Sequence, residues 1–411
     1  MQSEIGDQVE RVIDYEAARK APPPGFPPLP EIPGGRYTRE DFHALEIEHV
    51  WRKSWVCAGT EEGLREAGDY RVFDKLGVPM LLVRGRDAEL RAFYNTCRHR
   101  GAPVVRQSSG RSTLLRCQYH SWTYGLDGRL VAVPDERDFS CLDKSTRGLL
   151  PVRCETWAGI VFVNLDANAR PLLEYLGSLP AELDCVGMEK LRTVHYKSYL
   201  IDCNWKAAAD AFMEVYHINT IHPTNAGIML DHKAAAMGLM THGHSRMATR
   251  KNMNQGINFV EFEGAPDITT MPDFYRNNNV AYGIFPNVIT PVEPTGFPLL
   301  LFWPRGVHQC EMEALYIAPD WGAGERPPFW DTFIPIFDGV LDEDMLNLAP
   351  IQRSLNSGAF TGMMLNYQER RIYWFHEEID RRIGAKNIPA GLAVKQLLAD
   401  FVEGSVAAAE K

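Results

Sequence analysis

"CRHRGAPVVRQSSGRSTLLRCQYHSW", residues 97–122, contains two short cysteine–histidine pairs with different internal spacings. The first pair is Cys97-x-His99 and the second is Cys117-x-x-His120. The chain has eight cysteines among 411 residues, too few for a disulfide framework. The four side chains therefore predict a metal site, holding either zinc or an iron–sulfur cluster.

The order of the ligands bears on which of these two sites is formed. Zinc fingers usually offer a pair of cysteines and then a pair of histidines. Here each loop offers one cysteine and one histidine. If the cysteines bind one iron of a binuclear cluster and the histidines bind the other, each loop must reach both irons. The cluster is the main interpretation, and a structural zinc site is the alternative.

Composition and charge narrow the class of protein. A net charge of -10 argues against a general nucleic-acid binder, which would usually be basic. The N-terminus lacks the apolar stretch of a signal peptide, and no apolar run is long enough to span a bilayer. We expect a cytoplasmic protein with no membrane contact. At roughly 150 residues per domain, two or three domains are expected.

A second group of candidate ligands lies in "NWKAAADAFMEVYHINTIH", residues 204–222. The stretch predicts a helix with Asp210, Glu214 and His217 on one face. His217 and His222 would be separated by about 140° on a regular helix, so they can converge on one metal only if the helix breaks between them. Two histidines and one carboxylate form the usual ligand set of mononuclear non-haem iron(II). Buried, hydrogen-bonded histidines are the alternative.

The two motifs together resemble the large (alpha) subunit of Rieske non-haem iron oxygenases, the aromatic-ring-hydroxylating family. The resemblance implies an α+β fold, in which a small all-β Rieske domain is joined to a catalytic domain with an antiparallel sheet flanked by helices. The expected boundaries are 1–44 for an N-terminal arm packing on the catalytic domain, 45–165 for the Rieske domain and 166–411 for the catalytic domain.

The resemblance also implies which residues hold the metals. Cys97 and Cys117 would bind one iron of a [2Fe–2S] cluster, and His99 and His120 the other. His217 and His222 would bind the mononuclear iron. In this family the third ligand lies in an acidic segment far downstream, with an acidic pair eight to nine positions before a glutamine.

The acidic residue can be chosen within this sequence. Gln352 is the matching glutamine, which selects Asp344, with Asp342 as the second choice. The alternative is that the acidic run 342–344 is a helix N-terminus stabilised by negative charge, which is compatible with a ligand among its residues.

Other residues are carried over from the same family pattern. Glu214 takes the place of the carboxylate that links an iron histidine to a cluster histidine of the neighbouring subunit, here His120, and Asp210 is a further catalytic candidate. Many members carry Asp where this chain has Glu214, and Glu resembles the members that act on quaternary amines. Ala211, Phe212 and Val215 are the candidate pocket residues. The stretch 241–259 lacks periodicity and predicts a loop, with His242 and His244 in solvent.

The predicted activity is that of a terminal oxygenase. It would use dioxygen and electrons from NAD(P)H to hydroxylate a small, aromatic molecule. The chain has no Gly-x-Gly-x-x-Gly nucleotide fingerprint, so a separate reductase, with or without a ferredoxin, would supply the electrons. Identical subunits would form a trimer or larger ring. The alternatives are oxidative N- or O-demethylation by the same centre, and an electron carrier without oxygenase activity.

Overall fold

The computed structural model describes residues 3–252 and 264–403. These residues fold as two compact units, one formed by residues 51–172 and the other by the described residues on either side of it, 3–50, 173–252 and 264–403. The predicted domain boundaries at residues 45 and 165 stay predictions. Within the described ranges, no helix is both long and apolar enough to cross a membrane.

The strands, in chain order, are β1 Ile32–Pro33, β2 Val56–Thr60, β3 Asp69–Phe73, β4 Met80–Arg84, β5 Leu90–Tyr94, β6 Ser109–Arg111, β7 Leu115–Arg116, β8 Thr123–Tyr124, β9 Leu130–Ala132, β10 Pro151–Trp157, β11 Ile160–Asn164, β12 Leu191–Ile201, β13 Leu230–Leu239, β14 Ser245–Lys251, β15 Asn278–Ile284, β16 Val288–Val292, β17 Phe297–Gly306, β18 Gln309–Pro319 and β19 Gly362–Met363. The α-helices are α1 Ser3–Ala18, α2 Glu40–Glu46, α3 Leu172–Leu176, α4 Leu179–Leu183, α5 Trp205–Ala211, α6 Ile218–Ile221, α7 Ala226–Met229, α8 Asp273–Asn277, α9 Phe329–Leu355 and α10 Arg370–Ile383.

The unit of residues 51–172 is built from strands. Among its described residues, one antiparallel sheet has the order β2-β11-β10-β5-β4-β3-β6, and a smaller one has the order β7-β8-β9. The smaller sheet carries the second half of the quoted stretch. Cys117 directly follows β7, and Trp122 directly precedes β8. Both side chains are buried in the core of this unit.

The other unit is organised around a long antiparallel sheet. In the described ranges its strand order is β12-β18-β17-β16-β15-β14-β13, and it pairs neighbouring strands mostly in sequence order. β14 and β15 are aligned so that Ser245 lies opposite Gly283. Helices α5, α9 and α10 each carry buried residues, and α10 is buried along most of its length. The predicted α+β class is confirmed.

The helix predicted for residues 204–217 is shorter than expected. α5 ends at Ala211, and the chain is irregular until α6 begins at Ile218. The carboxylate of Glu214 accepts the backbone N–H groups of Tyr216 and His217. Because a side chain that takes up backbone donors competes with the helical ladder, the helix stops before Glu214. The predicted single face containing Asp210, Glu214 and His217 is therefore wrong.

The loop predicted for 241–259 is also wrong where the structure describes it. Ser245–Lys251 forms β14 inside the sheet. His244 is fully buried, lies 2.8 Å from the carbonyl of Tyr175 through Nε2, and accepts the N–H of Phe285 at 3.0 Å through Nδ1. Burial lowers the pKa of His244 to about 3, so the ring is a neutral structural group. Residues 253–259 lie outside the described residues.

Candidate metal centres

The two cysteine–histidine loops close in the same way. The N–H of Cys97 donates to the carbonyl of Ala102 at 2.8 Å, and the N–H of Cys117 donates to that of Trp122 at 2.9 Å. The fourth residue after each cysteine has a positive φ, +77° at Gly101 and +60° at Ser121. Each loop therefore reverses direction. Because of this reversal, its cysteine and its histidine face the same space.

The four predicted ligands of these loops lie together. The rings of His99 and His120 are 4.6 Å apart, and Trp122 stacks on His99 at 4.8 Å. Cys97 and Cys117 are both buried, and their side chains interact with each other. Nδ1 of His99 is buried without a hydrogen-bond partner among the described residues. An unpaired buried nitrogen is costly unless it has a ligand to bind.

These side chains fit an iron–sulfur cluster with mixed ligands. Burial raises the pKa of the Cys97 thiol, so the protein alone does not favour the thiolate. Burial and the neighbouring His120 lower the pKa of His99, which keeps the imidazole neutral and able to bind a metal. Two thiols and two imidazoles around one space are the donor set of a Rieske-type cluster. A tetrahedral zinc would use the same atoms.

Tyr124 is a neighbour of this group that the sequence alone did not reveal. Its hydroxyl lies 3.3 Å from the sulfur of Cys97 and accepts the N–H of Arg98 at 2.9 Å. Hydrogen bonds to ligand sulfurs tune the potential of iron–sulfur clusters. In the sequence, the only indication was an aromatic residue seven positions after Cys117.

A second group of ligand atoms occurs in the other unit. Ligand atoms of His217, His222 and Asp344 all lie within 4.8 Å of one another. Asp344 Oδ1 is 3.0 Å from Nε2 of His222 and 3.6 Å from Nε2 of His217. The two imidazoles are 5.4 Å apart between ring centroids. This is the donor set of the 2-His-1-carboxylate iron site, with the nitrogens facing a shared point.

A short helix lies between the two histidines. His217 directly precedes α6 and His222 directly follows it, with non-helical angles at His222. The helix ends before Pro223, as the proline predicts. His217 keeps helical angles, so regular helical geometry ends only at His222, and the break expected between the two histidines is not present.

A carboxylate contacts the Nδ1 atom of each of these histidines. Glu214 contacts Nδ1 of His217, and Glu343 accepts from Nδ1 of His222 at 2.7 Å. Such contacts fix which nitrogen is free to bind a metal. Burial would lower the pKa of His222, but Asp344 and Glu343 outweigh it and raise that pKa. The sequence identifies Glu343 only as part of an acidic run, and its contact with Nδ1 of His222 was not predicted.

The acidic run 342–344 separates into three environments. Asp344 is buried beside the histidines, whereas Asp342 is mostly exposed and bonds Lys197 and Tyr199, each at 2.8 Å. The run lies in the middle of α9, which begins at Phe329, so its predicted place at a helix start is wrong. Successive residues of a helix point about 100° apart, and this rotation gives the three acids different partners.

Asp210 lies in a separate buried network. Its Oδ2 accepts from the hydroxyl of Tyr37 at 2.7 Å and lies 3.5 Å from Nε2 of His376. Arg36 donates to Nδ1 of the same histidine at 3.0 Å. Asp210 therefore contacts the N-terminal segment and α10, and it is not part of the three-residue ligand group.

A small apolar cavity lies in the same unit. Its lining residues are Ala209, Met213, Gly243, Ser245, Gly283, Ile284, Phe285, Pro286, Val288, Ile289, Phe302 and Phe375. The predicted pocket residues Ala211, Phe212 and Val215 do not line it. Phe212 instead packs near Phe302, and Val215 belongs to a separate core cluster.

Two sequence-family profiles match this chain. Residues 54–146 match the Rieske [2Fe-2S] domain, and residues 188–385 match the ring hydroxylating alpha subunit catalytic domain. The chain therefore contains one segment similar to each of these two domains.

Individual relatives come from two groups of enzymes. The chain is 38% identical over 192 residues to the benzene 1,2-dioxygenase subunit alpha of Pseudomonas putida, a match covering 45% of this chain and 42% of that subunit. It is 35% identical over 194 residues to the carnitine monooxygenase oxygenase subunit of Escherichia coli, covering 47% and 52%. The matched segments thus span about half, or less, of these relatives.

Solved structures share the fold across most of the chain. A quaternary ammonium Rieske monooxygenase superposes with a TM-score of 0.75 at 22% identity, covering 89% of this chain and 100% of that one. Naphthalene 1,2-dioxygenase from a Rhodococcus species gives 0.72 at 23% identity, covering 92% and 98%.

Proposed function

We propose that this protein is the terminal oxygenase of a multicomponent system that hydroxylates a small, apolar, aromatic substrate. The observation that carries the proposal is the convergence of His217, His222 and Asp344 in a chain that also holds a Cys/His loop pair. An electron carrier would need only the loop pair. The second ligand group provides a place where the electrons can be used.

The residues of the two groups fit the two cofactors by their chemistry. When bound, the [2Fe–2S] cluster supplies single electrons, and the mononuclear iron(II) binds and activates dioxygen. His217, His222 and Asp344 would hold the iron(II), and a site with three protein ligands of this kind would keep positions for dioxygen and substrate. Glu214 and Glu343 hold the imidazole rings by their Nδ1 atoms and leave each Nε2 for the metal.

The cavity supports an apolar substrate. Phenyl rings of Phe285, Phe302 and Phe375 line it, and Met213 at its wall lies four residues before His217. A lining of this kind favours contact with apolar groups over polar ones.

Electron delivery is proposed to cross between copies of the chain. Glu214 contacts Nδ1 of His217, and it would link this iron ligand to His120 of a neighbouring copy. A path of this kind requires head-to-tail contacts, which close into a ring such as a trimer. A separate reductase, with or without a ferredoxin, would transfer electrons from NAD(P)H to the cluster.

Oxidative demethylation is the second candidate. Two observations favour it. At position 214 this chain has a glutamate, in which it resembles the family members that act on quaternary amines. The chain is also 35% identical to a carnitine monooxygenase subunit over the matched segment. The aromatic lining of the cavity is compatible with this candidate too, because aromatic rings also bind methylated ammonium groups.

Product analysis separates the two candidates. The full chain, loaded with iron and cluster and supplied with a reductase, is given aromatic compounds and methylated amines while oxygen uptake is followed. Hydroxylated aromatic products support the first candidate, and formaldehyde from methylated amines supports the second. His217→Ala should abolish both while the visible spectrum of the cluster remains. Turnover that survives in this variant would contradict the oxygenase proposal.

A further inference from the structure

Asn225 lies in the turn that follows the second candidate iron ligand. Its side-chain amide donates to Oε1 of Glu343 at 3.1 Å, and Oε2 of the same carboxylate lies 2.7 Å from Nδ1 of His222. In the described part of the chain, no third hydrogen bond to this carboxylate occurs. The amide, the carboxylate and the imidazole therefore form one connected chain of contacts that ends at an iron ligand.

The side chain of Asn225 does not serve the helix beside it. Asn225 directly precedes α7, at the position where an asparagine side chain usually accepts a backbone N–H of the helix. Here the side chain makes no such bond. Its amide instead donates to a residue 118 positions away in the chain. A local role at the start of α7 therefore does not account for this side chain, whereas the contact with Glu343 does.

The backbone of the turn is packed directly on His222. The N–H groups of Asn225 and Gly227 both donate to the carbonyl of His222, at 3.2 and 2.9 Å. A Cβ at position 227 would lie 2.7 Å from that carbonyl oxygen and 2.9 Å from the carbonyl oxygen of Ile218. Only a glycine allows so close an approach. The turn thus holds the backbone of Asn225 in a fixed place relative to His222.

The carboxylate of Glu343 needs such a second contact to be held in one orientation. Its side chain is 31% exposed, and a long side chain at the surface loses rotamer freedom when it is fixed. A donor on Oε1 restricts the carboxylate to orientations in which Oε2 meets Nδ1 of His222. The direction of a ligand imidazole depends on contacts of this kind.

We propose that Asn225 is a positioning residue of the mononuclear iron site, because it fixes the Glu343 carboxylate and thereby the direction of the His222 ring. The proposal rests on the proposed function for the identity of the metal. Asn225 touches neither the metal nor the substrate, and its effect reaches the site through Glu343 alone.

Replacing the amide tests this role through iron(II) affinity. Asn225→Ala should lower the affinity by about fivefold or more, since the carboxylate loses one of its two contacts. Competition with a chelator measures the affinity on the full chain with its cluster loaded, without turnover. Asn219→Ala is the matched control. It removes the same kind of side chain between the two histidines, where the amide contacts His232, and the affinity should be unchanged.

An isosteric change separates positioning from a structural role. Aspartate is as good as asparagine at the start of a helix, so Asn225→Asp should be harmless if the side chain only stabilises α7. Aspartate cannot donate to Glu343, and it places a second negative charge beside that carboxylate. We therefore expect Asn225→Asp to lower the iron(II) affinity at least as much as Asn225→Ala.

A double variant shows whether Asn225 acts through Glu343. In Glu343→Ala the partner of the amide is gone, so the further change Asn225→Ala should alter the affinity by less than about twofold. Independent contributions would multiply instead. A loss that persists in full in the Glu343→Ala background, or full iron(II) affinity in both Asn225→Ala and Asn225→Asp, overturns the inference.

The positioning role and the proposed function can fail separately. If the Asn225 variants lose iron(II) affinity as expected but no compound supports oxygen uptake in the unchanged protein, the positioning role stands and the oxygenase proposal fails. If the unchanged protein oxidises a substrate while both Asn225 variants retain full affinity, the oxygenase proposal stands and the positioning role fails.

Discussion

At the scale of single residues, the chemistry depends on which acid of the run 342–344 faces the histidines. Asp344 and Asp342 differ by two positions, and helical rotation places one beside His222 and the other beside Lys197. The spacing to Gln352 selects Asp344 from sequence. The role of Glu343 could not be predicted, because it depends on how α9 packs against the chain after α6.

Removing the third ligand gives the first prediction. Asp344→Ala should lose most of the mononuclear iron, because two histidines alone bind iron(II) weakly, while the cluster spectrum stays unchanged. Asp342→Ala is the matched control and should retain the iron, since that carboxylate bonds Lys197 and Tyr199. Iron analysis by mass spectrometry measures both variants. Loss of iron in Asp342→Ala alone would contradict the assignment.

Glu343→Gln gives the second prediction. The amide keeps the shape of the side chain but removes the charge that orients His222, so iron(II) affinity should fall by about 10-fold or more. Competition with a chelator measures the affinity. An affinity equal to that of the unchanged protein would show that Glu343 has no positioning role.

At the scale of elements, the two cysteine loops share a closure that requires a left-handed residue at the fourth position. Gly101 meets this requirement without steric cost, whereas Ser121 adopts the same region with a side chain. The cysteine and histidine spacing predicts the ligands of both loops. The common backbone closure could not be read from sequence, because serine at a positive φ leaves no compositional signal.

The third prediction concerns the equivalent positions of the two loops, where the two substitutions should change stability in opposite directions. Gly101→Ala should destabilise its loop by about 1 kcal/mol, because the left-handed region is unfavourable for alanine while a Cβ there meets nothing within 4 Å. Ser121→Gly should relieve the same strain in the other loop. The midpoint of urea unfolding, followed by the visible absorbance of the cluster, should fall for Gly101→Ala and hold or rise for Ser121→Gly. A fall of equal size in both variants would contradict the strain argument.

The failed helix prediction belongs to this scale as well. Residues 206–214 are rich in good helix formers, and local propensity favours one continuous helix there. The bonds from Glu214 to the N–H groups of Tyr216 and His217 replace the helical ladder instead. Propensity is a weak signal that such contacts override, so the break at Ala211 and the position of Asp210 beside Tyr37 were not predictable.

At the scale of the whole molecule, the N-terminal segment is part of the larger unit. Lys206 on α5 and Glu46 on α2 form a fully buried ion pair at 2.8 Å, and Glu46 also accepts from Nε1 of Trp205 at 3.1 Å. The α+β organisation was predicted from the family resemblance of the two motifs. The partners of the N-terminal segment were not predicted, because the buried pair joins residues 160 positions apart.

This ion pair gives the fourth prediction. Lys206→Met should lower the free energy of unfolding by about 3 kcal/mol or more, because it leaves the charge of Glu46 buried and unpaired. The double variant Lys206→Met/Glu46→Gln should recover most of this loss, since no charge then remains. The thermal midpoint measures both variants. A double variant as unstable as the single one would show that lost packing, not the unpaired charge, causes the effect.

The central claim is that one chain holds two different iron centres. The most direct test is the iron and acid-labile sulfide content of the full chain, purified without oxygen. The account predicts about three iron atoms and two sulfides per chain, and about two irons with two sulfides in His217→Ala. Zinc in place of iron, with no sulfide, would contradict it.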